Sequence, residues 1–275
     1  MSRSRADELA AGRGIRSLAV LGVRVDDVTF AETLDLCAEA IARREPLLIA
    51  TVNTEFVMAA RSDGEFREVL DRAGLVVPDG IGQIVAARLT GHRLREHVRG
   101  TDLVERLAER GAREGYRFFF LGGRGGVAEA AAASLASRYP SLQIAGCYEG
   151  LADPVDDAQT TAAVRAAGPV DVLLVAYGAP KQEKWLARNL AALDVPVGIG
   201  VGGVFNFFAG RTPRAPLWMR RLELEWLHRL LTQPWRWRRQ LALPRFALLV
   251  LASLLAGRAP VRDRGLVLPP SGKPN

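Results

Sequence analysis

The chain has 275 residues, 49% of them hydrophobic and 24% charged, and carries a net charge of +7. This balance excludes a disordered tail protein, a collagen-like chain and a polytopic membrane protein, and the length suffices for one large core or two small ones. Cys37 and Cys147 form no C-x-x-C pair and the three histidines are scattered, which argues against a disulfide scaffold or a His/Cys metal site and for a reducing cytoplasm.

The start of the chain is rich in Arg and Asp and has no apolar run, so it does not read as a secretory leader, and residues 1–16 are expected to be disordered. From residue 18 to about 205, apolar runs alternate with helical patterns. A strand over Leu18–Leu21 precedes a helix whose Phe30, Leu34, Cys37, Ala38 and Ile41 recur at helical spacing. A strand at Leu47–Thr51 leads into helices over Glu55–Arg61 and Gly64–Ala73. Leu75–Val77 leads to Ile81–Leu89 and Asp102–Glu114, and Arg117–Leu121 leads to Val127–Arg138. Leu142–Gly146 leads to Ala158–Ala167, Val172–Tyr177 leads to Lys181–Leu193, and Pro196–Val201 closes the series. This alternation predicts an α/β core over 17–210, a mainly parallel sheet with helices on both faces.

The charge is concentrated beyond that core. Between Arg211 and Arg245 nine arginines face two acids, Glu223 and Glu225, so this window accounts for the whole excess of +7. Trp218, Trp226, Trp235 and Trp237 lie in the same window. Arg with Trp suits either nucleic acid, where rings stack on bases, or a membrane interface; a solvated helix face over core tryptophans is the plainer alternative. The apolar run Phe246–Ala256 follows directly and is too short for the ~20 residues that span a bilayer. Basic, aromatic and then apolar favours a segment lying on an anionic membrane over a nucleic-acid contact, with a buried C-terminal helix or an oligomer contact as the other reading. The expected organisation is thus a C-terminal basic helical appendage at 211–257 and a disordered, Pro- and Gly-rich tail at 258–275.

Open α/β sheets bind ligands outside the carboxyl ends of their strands. Polar or glycine residues follow five of the predicted strands: Asn53 and Glu55, Asp79 to Gly82, Gly122 to Gly126, Gly178 to Glu183, and Gly202 to Asn206. Asp79, between Pro78 and Gly80, is either a helix N-cap or a general base whose pKa partial burial would raise. Thr51 and Asn53 end the neighbouring strand and offer hydrogen bonds to a sugar or base. Arg99 is a candidate phosphate partner or a surface arginine. Gly122 opens a Gly-Gly-Arg-Gly-Gly loop that would let backbone N–H groups approach a phosphate, or is simply a tight turn; it matches neither the dinucleotide fingerprint nor the Walker A loop. Gln182 would recognise a sugar hydroxyl or base, or cap its helix. No D-x-D follows a strand, so no metal is expected, and no cofactor.

These residues, in order, carry a resemblance: Thr51-Val-Asn53-x-Glu55, Pro78-Asp79-Gly80-Ile-Gly82, Arg99-Gly-Thr-Asp102, Gly178-x-Pro180-x-Gln182-Glu183, Gly202-Gly-Val-Phe205, Arg214-Ala-Pro216, Glu225-Trp226-x-x-Arg229 and Pro234-x-Arg236-x-x-Arg239. Their spacing over about 18–245 resembles the WecG/TagA/CpsF family, glycosyltransferase family 26. The resemblance implies a Rossmann-like core and an inverting, metal-independent transfer of a sugar from a UDP-sugar to a polyprenyl-diphosphate-linked saccharide. It implies a peripheral enzyme on the cytoplasmic face of the cell membrane, active in cell-surface polysaccharide synthesis, and oligomers. By residue, it implies Asp79 as the base and Thr51, Asn53 and Gln182 in the donor pocket; Arg99 and Gly122, the candidate phosphate contacts, are expected beside them. Arg229, Arg236 and Arg239, with Arg214, would meet the acceptor diphosphate or the membrane. Asn206 departs from the pattern, where an Asp is expected. The rival to this reading is a non-catalytic nucleotide- or nucleic-acid-binding protein that uses the Arg/Trp segment.

Overall fold

A computed structural model of the chain describes residues 14–234 and 237–267. The strands of the main sheet are β3 (Leu47–Val52), β4 (Leu75–Pro78), β5 (Arg117–Gly122), β6 (Gln143–Tyr148), β7 (Val172–Ala176) and β8 (Val197–Gly200). They run parallel in the order β4-β3-β8-β7-β5-β6. Every residue of β3, β4 and β8 is buried, so the runs are continuously apolar rather than alternating, as helices on both faces require. Strand β5 shows how side chains are divided between the two layers: Phe119 and Leu121 join the layer around Trp185, Phe56 and Phe66, while Phe118 and Phe120 join that around Phe205 and Leu103. This is the Rossmann-like α/β arrangement expected from the sequence.

The helices fall where the apolar periodicity places them. In chain order they are α1 (Phe30–Arg43), α2 (Thr54–Ala60), α3 (Gly64–Arg72), α4 (Ile81–Leu89), α5 (Gly100–Glu114), α6 (Val127–Arg138), α7 (Asp157–Ala166), α8 (Lys181–Asn189) and α9 (Val204–Phe208). The α1 start is fixed locally: the Thr29 side chain accepts from the Glu32 N–H while the Glu32 carboxylate accepts from the Thr29 N–H, a capping box. Beyond α9 come α10 (Leu217–Arg221), α11 (Glu225–Thr232), α12 (Trp237–Gln240) and α13 (Ala242–Leu255).

The first predicted strand lies outside the parallel sheet. Strand β1 (Ile15–Val20) pairs antiparallel with β2 (Val23–Asp26) on one side and with β9 (Val261–Val267) on the other. Leu21 and Gly22 both have positive φ, 48° and 87°, the mirror-image turn whose twist suits a two-residue hairpin. A leucine in that turn is an unusual signal, which is why β2 is not legible in the sequence. The expected disorder of 258–275 also fails for Val261–Val267, and that of 1–16 for Ile15 and Arg16. The β1–β9 pairing satisfies backbone groups that would otherwise form an open edge. The small sheet is tied to the main one through buried charge. Arg24 pairs with Asp26 at 2.8 Å, and Asp26 also accepts from Ser17 Oγ at 2.6 Å and from the Val76 N–H of β4 at 2.8 Å.

The appendage does not stand apart from the core. Ala215, Met219, Phe246, Val250 and Val261 are buried, the last three within the same layer as Trp185. Among the described residues no helix is long and apolar enough to cross a membrane.

Candidate active site

The carboxyl ends of β3 and β4 meet the N-terminus of α5, and Asp79 sits at that junction. Its N–H donates to the Val52 carbonyl at 2.9 Å, extending the strand ladder by one residue. The glycine that follows is needed for space: a Cβ on Gly80 would lie 2.9 Å from Asn53 Cα. Gly80 is itself the N-cap of α4 and contributes no side-chain bond. Asp79 does not cap that helix either. Its carboxylate accepts from the Gly100 N–H, at the start of α5, at 2.7 Å. A helix N-terminus favours the anion, as do the nearby His97 and Arg229, whereas Glu225 opposes it. Burial outweighs them and pushes the Asp79 carboxyl up from 3.8 to about 6. That places its proton exchange close to physiological pH while the side chain keeps partial solvent access.

The neighbouring candidates are held by the fold. Thr51 is buried and its Oγ1 donates to the Gly200 carbonyl at 3.2 Å, joining β3 to β8, while its side chain packs under Gly100. Asn53 is the N-cap of α2: its Oδ1 accepts from the Phe56 N–H at 3.2 Å, which leaves its amide N–H groups as donors. Gln182 is buried, and its Oε1 accepts from both Gly178 at 3.0 Å and Gly202 at 2.9 Å, pinning together the loops that follow β7 and β8. Its Nε2 donates to Glu183 at 2.6 Å. Glu183 is a buried carboxyl that sequence reasoning did not single out; burial raises its pKa to about 7, and its Oε2 has no partner. Gly122 lies farther along the sheet, with φ +93° and a Cβ position 3.0 Å from the backbone of Ala176. The positive φ of Gly122, Gly123, Gly125 and Gly126 suits glycine at those four positions of the turn into α6, whose N-terminus has no side-chain cap.

The arginines divide into two groups. Arg99 and Arg214 are not free cations awaiting a phosphate. Arg99 pairs with Glu223, with Glu225 at 3.3 Å and with Asp102 at 3.7 Å, and it donates to the Arg220 carbonyl at 3.3 Å. Arg214 pairs with Asp102, with Glu225 at 3.6 Å and with Glu105 at 3.7 Å. Acids of the core helix α5 thus neutralise part of the basic window, and this network latches α10 and α11 onto the core. Arg229 is different. Its guanidinium stacks over the Phe207 ring at 5.0 Å and its charge reaches Asp79. Arg239 is exposed on α12, and Arg236 lies outside the described residues. Trp218 and Trp237 are also exposed.

The fold therefore gathers Asp79, Asn53, Thr51 and Arg229 around the β3–β4 end, with Gln182 one strand further and Gly122 beyond. The sequence reading missed His97 and Glu223, which pair at 2.8 Å beside Arg99. They are 126 positions apart, and no local pattern joins them. Among the described residues no group of three or more His, Cys, Asp or Glu side chains could hold a metal ion.

A Rossmann-like sheet with a part-buried carboxyl at its carboxyl edge, within reach of the Arg229 charge, is an arrangement that suits group-transfer chemistry in the α/β class. The family is specific: the chain belongs to the glycosyl transferase WecG/TagA/CpsF family, whose model matches residues 18–260. It is 38% identical over 204 residues to a Bacillus subtilis (strain 168) protein named N-acetylglucosaminyldiphosphoundecaprenol N-acetyl-beta-D-mannosaminyltransferase, covering 74% of this chain and 78% of the relative. Relatives of the same name from Bacillus spizizenii and Staphylococcus aureus (strain NCTC 8325) are 34% and 30% identical; each match covers 77% of this chain, and 81% and 83% of the relatives. The chain is accordingly a glycosyltransferase, and the non-catalytic reading of the Arg/Trp segment is set aside.

Proposed function

We propose that the chain transfers N-acetylmannosamine from its UDP derivative to a polyprenyl-diphosphate-linked N-acetylglucosamine, with inversion at the anomeric carbon and without a metal ion. The sugar and the acceptor follow the names of the relatives. The observation that carries the chemistry is Asp79, a carboxyl raised to about 6 at the sheet's carboxyl edge with Arg229 beside it.

In this mechanism an acceptor hydroxyl oxygen attacks the anomeric carbon from the face opposite UDP. The new C–O bond forms as the bond to the UDP oxygen breaks, and the hydroxyl proton passes to Asp79. A base with a pKa near 6 is ionised at neutral pH yet basic enough to accept that proton. The leaving diphosphate gathers negative charge, which backbone N–H groups at the uncapped end of α6 would stabilise, while Arg229 meets the diphosphate of the acceptor. Asn53 supplies amide donors to the donor sugar, and Gln182 acts through the two loops it holds. Arg239 and the exposed Trp218 and Trp237 suit an anionic membrane surface and support a peripheral enzyme on the inner face of the membrane.

The test is UDP release from UDP-N-acetylmannosamine in the presence of a synthetic prenyl-diphosphate N-acetylglucosamine, with a chelator present and the anomeric configuration of the product read by NMR. A β product from an α donor, at a rate the chelator leaves unchanged, is expected. A retained configuration, or a rate that depends on added metal, refutes the mechanism.

A further inference from the structure

Beside the Asp79 site lies a cavity of about 720 Å³ whose walls are almost wholly apolar. One wall is α4, through Gly82 and Val85; another is α11, through Trp226 and Leu230; the third is α13, through Val250 and Leu251. Val85 and Leu251 remain exposed at 44% and 53% of their surface. A folded chain does not ordinarily leave apolar surface of this kind open to water without something to bind there.

The cavity shares two helices with the catalytic edge. Helix α4 begins two residues after Asp79, and Gly82 lies in its first turn. Helix α11 serves both sites. Glu225 and Arg229, one turn apart, bear on the Asp79 carboxyl, while Trp226 and Leu230, offset by one residue, line the cavity. A molecule with a diphosphate at Arg229 and an apolar chain attached to it would therefore run from the polar site straight into the cavity. The outer face of α13 adjoins the cavity: Leu248 and Leu255 are exposed at 65% and 81% and do not line it. A bilayer would meet that outer face, whereas the cavity lies between helices.

We propose that this cavity is a binding site for the isoprenoid chain of the acceptor, holding the units nearest the diphosphate inside the protein rather than leaving them in the membrane. A volume of this size suits a drug-sized ligand, so it takes the first isoprene units and not the whole polyprenyl chain. The proposal rests on the lipid-linked acceptor put forward above and adds a chain-length specificity to it.

Binding to the full-length protein is measured by calorimetry, without membranes, for farnesyl diphosphate, dimethylallyl diphosphate and inorganic diphosphate. Two variants alter the exposed wall: Val85→Trp fills the cavity and Leu251→Glu places a charge in it. Wild type is expected to bind farnesyl diphosphate at least ~10-fold more tightly than dimethylallyl diphosphate, because each added isoprene unit buries several methylene-sized groups. Both variants should abolish that preference while leaving UDP affinity, dimethylallyl diphosphate affinity and the melting temperature as in wild type. Equal affinity for the two prenyl diphosphates, or a preference that survives in both variants, overturns the proposal. So does a pattern in which the variants keep the preference but lose binding to phosphatidylglycerol vesicles or lose self-association, since the cavity would then serve a bilayer or a second copy. The two readings fail separately: chain-length-dependent binding without sugar transfer would refute the reaction alone, and transfer with the same KM for short- and long-chain acceptors would refute the cavity alone.

Discussion

Replacing Asp79 with Asn separates the chemical role of this carboxyl from its cost to the fold. Its pKa rises from 3.8 to about 6 on folding. That rise corresponds to about 3 kcal/mol of preference for the protonated form, an upper bound because the side chain keeps some solvent access. Between those two values the folded protein holds a proton that the unfolded chain has lost. The stabilising contribution is therefore complete below 3.8 and is lost as the pH rises through 6. Asn is neutral at every pH and its Oδ1 can still accept from the Gly100 N–H. The variant should thus be more stable than wild type at pH 8, by up to ~3 kcal/mol, and the difference should close as the pH falls toward 4. Activity should move the other way. Loss of a general base lowers kcat by ~10²–10⁴-fold, with UDP affinity intact. In the wild type, kcat/KM should rise through pH about 6 and level off above it. Thermal melts at the two pH values and a UDP-release assay provide both readouts. A variant with near-wild-type kcat, or one less stable than wild type at pH 8, refutes the reasoning.

Arg229→Ala removes a cation that holds Asp79 ionised, so the acidic limb of the pH–rate profile should shift to higher pH while UDP affinity is kept; an unmoved limb would show that the guanidinium does not act on this carboxyl. Gln182→Ala strips the shared acceptor from the Gly178 and Gly202 N–H groups and should cost about 1–3 kcal/mol in urea unfolding together with a higher donor KM; a change in neither would mean that the loops hold without it. Asp26→Ala leaves the buried Arg24 unpaired and should destabilise by about 3–5 kcal/mol, and a loss below about 1 kcal/mol would contradict the buried network. Ending the chain after Gly257 removes β9 and exposes the β1 edge; the melting temperature should fall by ~2–4 °C for each kcal/mol lost, and an unchanged melt would mean that the β1–β9 pairing contributes nothing.

The truncation prediction shows where reading along the chain stops. The Arg/Trp window looks like a detachable appendage because its composition changes abruptly at about residue 211. Its partners are elsewhere in the chain: Asp102 and Glu105 on α5 for Arg214, Phe207 for Arg229, and β1 for the strand that follows α13. A window that carries the entire net charge by arithmetic is partly neutral in space, because acids more than a hundred residues upstream face it.

The parallel sheet, the helices that cover it and the edge at which Asp79 stands are legible along the chain, since each depends on periodicities a few residues long. Apolar runs with helical patterns between them admit few other arrangements, and the residues after each strand are placed by covalent connection alone. What these residues face was settled when the layers packed together. The closed fold set Asp79 against the Gly100 N–H rather than on its own helix, committed Arg99 and Arg214 to carboxylates, returned the C-terminal strand to β1, and enclosed the apolar cavity between α4, α11 and α13. Those outcomes depend on side chains far apart in sequence being desolvated together. The energies of desolvation and pairing come into existence only when the layers close, so no window of the chain can carry them.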